Sequence, residues 1–170
     1  SATPGAALRK LGVDAVAMGE CEETVAAVAN AAGKGDGWRA VAAVAWLDDG
    51  AVRRNGGPAA SEFVHHPPLR WPDRWLRAHG HHHHRFGSAG HGLGAEVEAS
   101  RGCPYHCSFC AKIDFRDGYR RRELAAVLDE IDALIAQGVG YVYFIDEIFL
   151  PQQPLLEALV ARDVEFGVQT

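Results

Sequence analysis

RGCPYHCSFC, residues 101 to 110, places Cys103, Cys107 and Cys110 at a CxxxCxxC spacing. Three thiolates this close in sequence can bind three irons of a cubane iron-sulfur cluster, which leaves the fourth iron open to a ligand that the protein does not supply. The alternative is a zinc site that uses the same cysteines and His106 or a distant histidine, because zinc accepts mixed thiolate and imidazole ligands. The spacing therefore predicts a metal centre, and a 4Fe-4S cluster is the favoured interpretation.

The composition is that of an ordinary globular protein. The 170 residues are 48% hydrophobic and 23% charged, with a net charge of -5, and the longest apolar stretches are too short to span a bilayer. Four cysteines and no signal-like apolar start argue against a disulfide framework, and Cys21 is expected to be a small buried residue. We therefore expect a cytoplasmic protein that binds neither membranes nor nucleic acid.

One basic cluster interrupts this acidic chain, and it consists of Arg116, Arg120, Arg121 and Arg122. We expect it to be a solvated helix start, with contact to an anionic substrate or cofactor group as the alternative.

The elements around the cysteines alternate in the order of a barrel built from strand and helix units. AEVEAS, residues 95 to 100, predicts a first strand that delivers the cysteine loop, and apolar residues at helical spacing from Leu124 to Ile135 predict a helix that is closed by Gly138. YVYFID, residues 141 to 146, is a continuous apolar run typical of a parallel strand with both faces covered. PLLEALVAR and VEFGVQ then predict a second helix and a third strand.

Catalytic groups in such barrels lie at the carboxyl ends of the strands. In this chain those ends carry the cysteine loop, Asp146 with Glu147, and Gln169 with Thr170.

The first part of the chain predicts the back half of a doubly wound α/β domain. Thr3, Pro4 and Gly12 are the expected N-cap, first residue and stop of a helix. VDAVAM, residues 13 to 18, predicts a buried parallel strand, followed by the turn GECEET, a helix through Ala32, a second strand at residues 41 to 47 and a DDG hairpin turn. Ligands of doubly wound sheets sit outside the carboxyl ends of the strands, where GECEET lies.

The cysteine motif, its RGCPY lead-in and Phe109 just before the third cysteine resemble the radical S-adenosylmethionine (SAM) enzymes. The resemblance implies that the open iron chelates the amino and carboxylate groups of SAM, and that an electron from an external donor cleaves SAM to methionine and a deoxyadenosyl radical. It also implies an adenine contact at Phe109, largely through its backbone. Asp146 and Glu147, in IDEIF, correspond in position to the family's GGE motif, whose acid or backbone receives the amino group of SAM; an acidic helix start is the alternative.

A second resemblance covers TPGAALRKLGVDAVAMGECEET. This stretch is similar to the closing part of the cobalamin-binding domain found in front of many radical SAM enzymes, with Gly19 and Glu20 in the loop beside the cobalamin. The alternative for these two residues is a tight turn with a helix-capping acid.

The domain organisation that follows is a cobalamin-binding part at residues 1 to 57, a Pro, Gly and His-rich linker at 58 to 94, and a partial radical SAM barrel at 95 to 170. Trp46, Trp71 and Trp75 are expected to be packing anchors between the two domains, with a cofactor box as the alternative. The tract His81 to His84 can bind metal adventitiously, with a ligand or proton-relay role as the alternative. Both ends of the chain look cut, so we expect an internal piece of a longer protein that is incomplete on its own.

The resemblance extends over nearly the whole chain and implies a cobalamin-dependent radical SAM enzyme, with methyl transfer to an unactivated carbon as one expected reaction. RWPDRWLRAHGHHHHRF and YFIDEIFLPQQPLLEAL are similar to a bacterial subgroup associated with oligosaccharide or secondary-metabolite gene clusters. The expected substrate is therefore a small molecule, a saccharide or a secondary metabolite. A non-catalytic iron-sulfur or zinc module, and a truncated inactive product, are the alternatives.

Overall fold

The structure is a computed structural model that describes residues 3–33, 35–78, 93–110 and 118–169. The chain divides into two units. One comprises Ser1–Glu62 with Pro104–Asp117, and the other comprises Phe63–Cys103 with Gly118–Thr170. Among the described residues, none of the helices has the length and apolar composition needed to cross a membrane. The tract His81 to His84, Arg116 and Thr170 lie outside the described residues.

The first unit begins with the helix that its sequence predicts. Helix α1 spans Pro4–Leu11, and Gly12 ends it with a left-handed φ of 63°. The Gly12 N–H donates to the Leu8 carbonyl at 3.2 Å, which satisfies one of the last carbonyls of the helix. Helix α2, Glu22–Ala32, begins within the predicted GECEET turn, which is therefore shorter than expected, and it ends where expected.

The sheet of the first unit is antiparallel throughout. Strands β1 (Ala15–Ala17), β2 (Val44–Asp48) and β3 (Ala51–Asn55) lie in that order. The predicted hairpin is confirmed, because Asp49 and Gly50 both adopt positive φ, at 47° and 77°, as a two-residue turn between β2 and β3 requires.

The prediction of a buried parallel strand at residues 13 to 18 is wrong. Strand β1 is shorter, half-buried at all three positions, and antiparallel to β2, with Ala15 opposite Trp46. The apolar run correctly predicted a strand, but an apolar run does not indicate whether the neighbouring strand is parallel or antiparallel. The core that covers β1 is small and comprises Leu8, Met18 and Ala45, with Val16, Leu47 and Val52 packed against it.

The second unit contains the predicted parallel sheet. Strands β4 (Leu93–Val97), β7 (Val139–Phe144) and β8 (Glu165–Val168) lie in the order β4-β7-β8, and both pairs are parallel. The predicted first strand, residues 95 to 100, is divided, since its last residue belongs to the short strand β5 (Ser100–Arg101). Strand β5 pairs antiparallel with β6 (Arg120–Arg121).

Two helices connect these strands and cover one face of the sheet. Helix α4 spans Leu124–Ala136 and α5 spans Gln153–Ala161. The predicted apolar stripe of α4 is confirmed, because Val127, Ile131 and Leu134 are buried in the same core as Val142 and Phe144 of β7. Because helices alternate with the strands and β4 and β7 are parallel, the carboxyl ends of β4 and β7 lie side by side.

The segment from Phe63 to Ala78, predicted as linker, packs within the second unit. It contains a 3-10 turn, Phe63–His65, and the short helix α3, Asp73–Ala78, whose Leu76 is buried. Trp71 packs against the core as an anchor. The expectation for Trp75 is wrong, because 56% of its surface is exposed.

A buried ion pair ties this segment to α4. Arg122 donates to Glu130 Oε2 at 2.8 Å, and the two side chains are 4% and 0% exposed. The same Glu130 oxygen accepts the Leu69 N–H at 2.8 Å, and Arg122 donates to the Pro67 carbonyl at 3.2 Å. The expectation of a solvated helix start is therefore wrong for Arg122, because its charge is used inside the fold.

We predict that Arg122→Ala lowers the free energy of unfolding by about 3 to 5 kcal/mol, because it leaves the Glu130 carboxylate buried without its cation. Arg70→Ala is the matched control, since Arg70 joins the same segment to α4 through an exposed pair with Asp129 at 2.6 Å. That change should cost about 0 to 1 kcal/mol. Urea unfolding of both variants measures the difference, and equal losses would contradict the structural role of the buried pair.

Candidate functional site

The three cysteines of the motif lie just after the carboxyl end of the first strand region. Cys103 is half-buried and follows β5 by one residue, whereas Cys107 and Cys110 are exposed. None of the three forms a disulfide, and the Cys110 N–H donates to the Cys107 carbonyl at 3.1 Å, which places the last two in a turn. Cys103 belongs to the second unit, and Cys107 and Cys110 belong to the first.

Within the described ranges, no group of three or more His, Cys, Asp or Glu side chains is arranged to hold a metal ion. The donor chemistry nevertheless fits a cluster with one open iron, because the segment supplies three thiols and cluster irons take thiolate ligands. The three-cysteine ligand set stays a prediction that rests on residue type and spacing.

Glu147 reaches the residue that precedes the first cysteine. Gly102 adopts a φ of 83°, a conformation that suits glycine, and its N–H donates to Glu147 Oε2 at 2.8 Å. Because a carboxylate is the acceptor, this is a charge-assisted hydrogen bond, which is shorter and stronger than a neutral one.

Asp146 binds Ala99 and Ser100, which lie three and two residues before Gly102. Its side chain is 1% exposed; Oδ1 accepts the Ala99 N–H at 2.9 Å, and Oδ2 accepts the Ser100 hydroxyl. Burial raises the pKa of Asp146 above its ordinary value, and the hydrogen bonds from Ser100 and the backbone oppose that shift without cancelling it. The alternative of an acidic helix start is wrong for Asp146 and Glu147, because the next helix begins at Gln153.

Arg101 also stabilises the backbone before the cysteine loop, a role that no pattern in the sequence predicted. Its guanidinium donates to both carboxylate oxygens of Glu98, at 2.9 and 2.7 Å, and lies 4.4 Å from the centre of the Phe63 ring. The side chain is buried, so this bidentate pair holds the backbone directly before the cysteine loop. Glu98 and Ser100 were missed as well; the only signal for them was their position between the strand and the motif.

Phe109 is the most exposed of the large apolar residues in the described part of the chain, at 91%. Its predicted adenine contact, through the backbone, stays a prediction. Gln169 directly follows β8, and its carbonyl accepts the Phe149 N–H at 2.8 Å.

Gly19 and Glu20 form a tight junction in the first unit. Gly19 has a φ of 81° and forms a parallel bridge with Ala59, and a Cβ at Gly19 would collide with the Ala59 carbonyl. The buried Glu20 accepts the Ser61 N–H at 2.6 Å, and its own N–H donates to the Ala59 carbonyl at 2.9 Å. The turn is therefore built into the fold, and its predicted contact with cobalamin stays a prediction.

Comparison with known sequences gives short matches to a cyclase and to a methyltransferase. No protein-family profile matches the chain. The anaerobic magnesium-protoporphyrin IX monomethyl ester cyclase of Cereibacter sphaeroides is 45% identical over 49 residues, 28% of this chain and 8% of that protein. The tryptophan 2-C-methyltransferase of Streptomyces laurentii is 41% identical over 59 residues, 34% and 10% of the two chains. The chain thus spans about a tenth of the length of these relatives.

Comparison with solved structures extends over nearly the whole chain. The radical SAM methyltransferase TsrM of Kitasatospora setae, solved with cobalamin and a [4Fe-4S] cluster, gives a TM-score of 0.67 at 19% identity over 92% of this chain and 30% of that one. The cobalamin-dependent SAM radical enzyme OxsB, solved with aqua-cobalamin and SAM, gives 0.64 at 20% identity over 89% and 22% of the two chains. The fold implied by the sequence resemblance is confirmed.

We predict that Asp146→Asn removes a pH dependence of stability. Because the pKa of Asp146 is raised in the folded protein, folding favours the protonated acid. The contribution of Asp146 to stability is therefore complete below its ordinary pKa of 3.8 and is lost as the pH rises through the raised value. Asparagine does not titrate, so the stability of the variant relative to the parent should increase across that window and then level off.

Urea unfolding at a series of pH values measures this difference. The control is Asp49→Asn, an exposed turn residue whose positive φ asparagine tolerates. A stability difference between Asp146→Asn and the parent that stays constant with pH would show that burial does not perturb Asp146.

Proposed function

We propose that this chain, which shares the fold of the cobalamin-dependent radical SAM enzymes, serves in a radical SAM enzyme that acts on a small molecule, a saccharide or a secondary metabolite. When bound, the 4Fe-4S cluster supplies the electron, received from an external donor, that cleaves SAM to methionine and a deoxyadenosyl radical. The protein's share is to hold the cofactors, orient the substrate and exclude water.

The observation that carries the proposal is the position of Cys103. It follows the carboxyl-end region of a parallel sheet by a few residues, and the backbone before it is bound by acids from the end of the neighbouring strand β7. Active sites of strand and helix barrels lie at this end of the sheet. TsrM and OxsB, which share the fold, are solved with a cluster or SAM bound.

In this proposal Cys103, Cys107 and Cys110 bind three irons of the cluster. The backbone at Phe109 contacts the adenine of SAM, and the backbone just after β7, at Asp146 and Glu147, receives its amino group.

Cobalamin is proposed to bind beside the turn at Gly19 and Glu20. Since the relatives include enzymes named as methyltransferases, we propose methyl transfer as the reaction class.

The first test concerns the cluster ligands. Cys103→Ala, Cys107→Ala or Cys110→Ala should remove most of the iron bound after anaerobic reconstitution, because each removes one of three protein ligands. Cys21→Ala is the matched control and should retain the iron. The expectation that Cys21 is buried is wrong, because it is an exposed free cysteine at the start of α2. Iron and sulfide assays give the result. A full cluster in Cys107→Ala, or bound zinc in a colourless parent protein, would contradict the assignment.

The second test concerns SAM. Addition of SAM to the reduced, reconstituted protein should change its electron paramagnetic resonance spectrum, because a ligand enters the coordination sphere of the open iron. S-adenosylhomocysteine, added at the same concentration, controls for binding of the nucleoside alone. An unaltered spectrum at saturating SAM would indicate a fully ligated cluster that serves electron transfer.

A further inference from the structure

We infer that the Glu147 side chain is a positioning residue, which fixes the backbone that carries Cys103 through the Gly102 N–H. The inference rests on the proposed function only where it concerns the cluster. The motif resemblance leaves either the acid or the backbone at this position for the amino group of SAM, and the geometry points to a division between them. The carboxylate binds the cysteine loop, and the backbone remains for SAM.

Gly102 is the residue through which Glu147 contacts the cysteine loop. Its positive φ of 83° turns the chain out of β5 immediately before Cys103, and the N–H that this turn presents is bound by Glu147 Oε2 at 2.8 Å. These two residues are 45 positions apart in sequence. The bond therefore couples the end of β7 directly to the peptide that sets the direction of the Cys103 side chain.

Glu147 is the last of three acids that bind the backbone or side chains of the residues before Cys103. In chain order, Ala99 and Ser100 are bound by Asp146, Arg101 is bound by Glu98, and Gly102 is bound by Glu147. We call residues 99–102 with these three acids the clasp. Each of the four residues before Cys103 is fixed by a carboxylate, which is the support that a metal ligand needs to be held within a fraction of an ångström.

The positioning of the cysteine loop by Glu147 is distinct from a role in the stability of the fold. Asp146 is buried and serves the fold, whereas Glu147 is only partly buried and binds, through its Oε2, the last residue before the ligand. Loss of the Glu147 carboxylate should therefore loosen the cysteine loop locally, and the strands and helices should remain intact. The conservative change to glutamine keeps an oxygen that can accept the Gly102 N–H and should restore the position.

The test compares Glu147→Ala with Glu147→Gln in the full 170-residue chain. The matched control is Glu157→Ala, which removes an exposed acid from α5. In the metal-free proteins, hydrogen exchange measured by mass spectrometry should rise at residues 99–103 by about tenfold or more in Glu147→Ala, because a hydrogen bond to a charged group is lost. It should stay within about twofold of the parent in Glu147→Gln and Glu157→Ala, since both retain an acceptor for the Gly102 N–H.

The same variants are then reconstituted with iron and sulfide. Glu147→Ala should bind the cluster about tenfold more weakly, as loss of a residue that supports a metal ligand typically does, whereas Glu147→Gln should retain it. If Glu147→Ala is insoluble, Glu147→Met, which keeps the volume without a carboxylate, takes its place with the same expected result.

Unchanged exchange at residues 99–103 in Glu147→Ala would overturn the inference, whatever the protein's cofactors. Normal exchange and iron in both Glu147 variants, together with a weakened response of the cluster to SAM, would also overturn it and assign the side chain to SAM. Raised exchange in Glu147→Ala in a protein whose parent binds no cluster would support the clasp and would contradict the proposed function instead.

Discussion

The carboxyl ends of two neighbouring parallel strands meet at a pair of consecutive acids, and the position of the cysteine loop depends on that pair. Asp146 is buried away from water and accepts hydrogen bonds from Ala99 and Ser100, and Glu147 accepts a further hydrogen bond from Gly102. A carboxylate buried in this way is costly unless it accepts hydrogen bonds, and here the backbone of the loop supplies them. The interaction links the packing of the sheet to the geometry of the motif that follows it.

The features of the fold and of the motif that depend on a short stretch of sequence could be predicted. The CxxxCxxC spacing and the RGCPY lead-in implied the fold through the family that they resemble, and the structural match over 92% of the chain confirms that fold. Gly12 ended α1, the Asp49 and Gly50 pair formed the hairpin turn, and the apolar stripe of α4 faced the core as expected. Each of these features is set by backbone sterics or by helical periodicity within a few residues.

The failures concern pairings between residues far apart in sequence. The ion pair of Arg122 with Glu130 joins positions 8 residues apart, and the bond from Gly102 to Glu147 joins positions 45 residues apart. The direction of β1 depends on which strand lies alongside it. Arg122 looked like part of a solvated cluster because its neighbours Arg120 and Arg121 are basic too, yet it alone of the three is buried. Charge patterns along a chain do not report which charge the fold encloses.

The central claim is that the cysteine loop held by this pair of acids binds a cluster with one iron open to SAM. Mössbauer spectroscopy of the chain reconstituted with ⁵⁷Fe, before and after addition of SAM, tests it most directly. The account predicts a four-iron cluster in which the signal of one iron changes when SAM is added, while the other three remain as they were. Four irons that are all unaffected by SAM, or a protein that takes up zinc and no cluster, would contradict it.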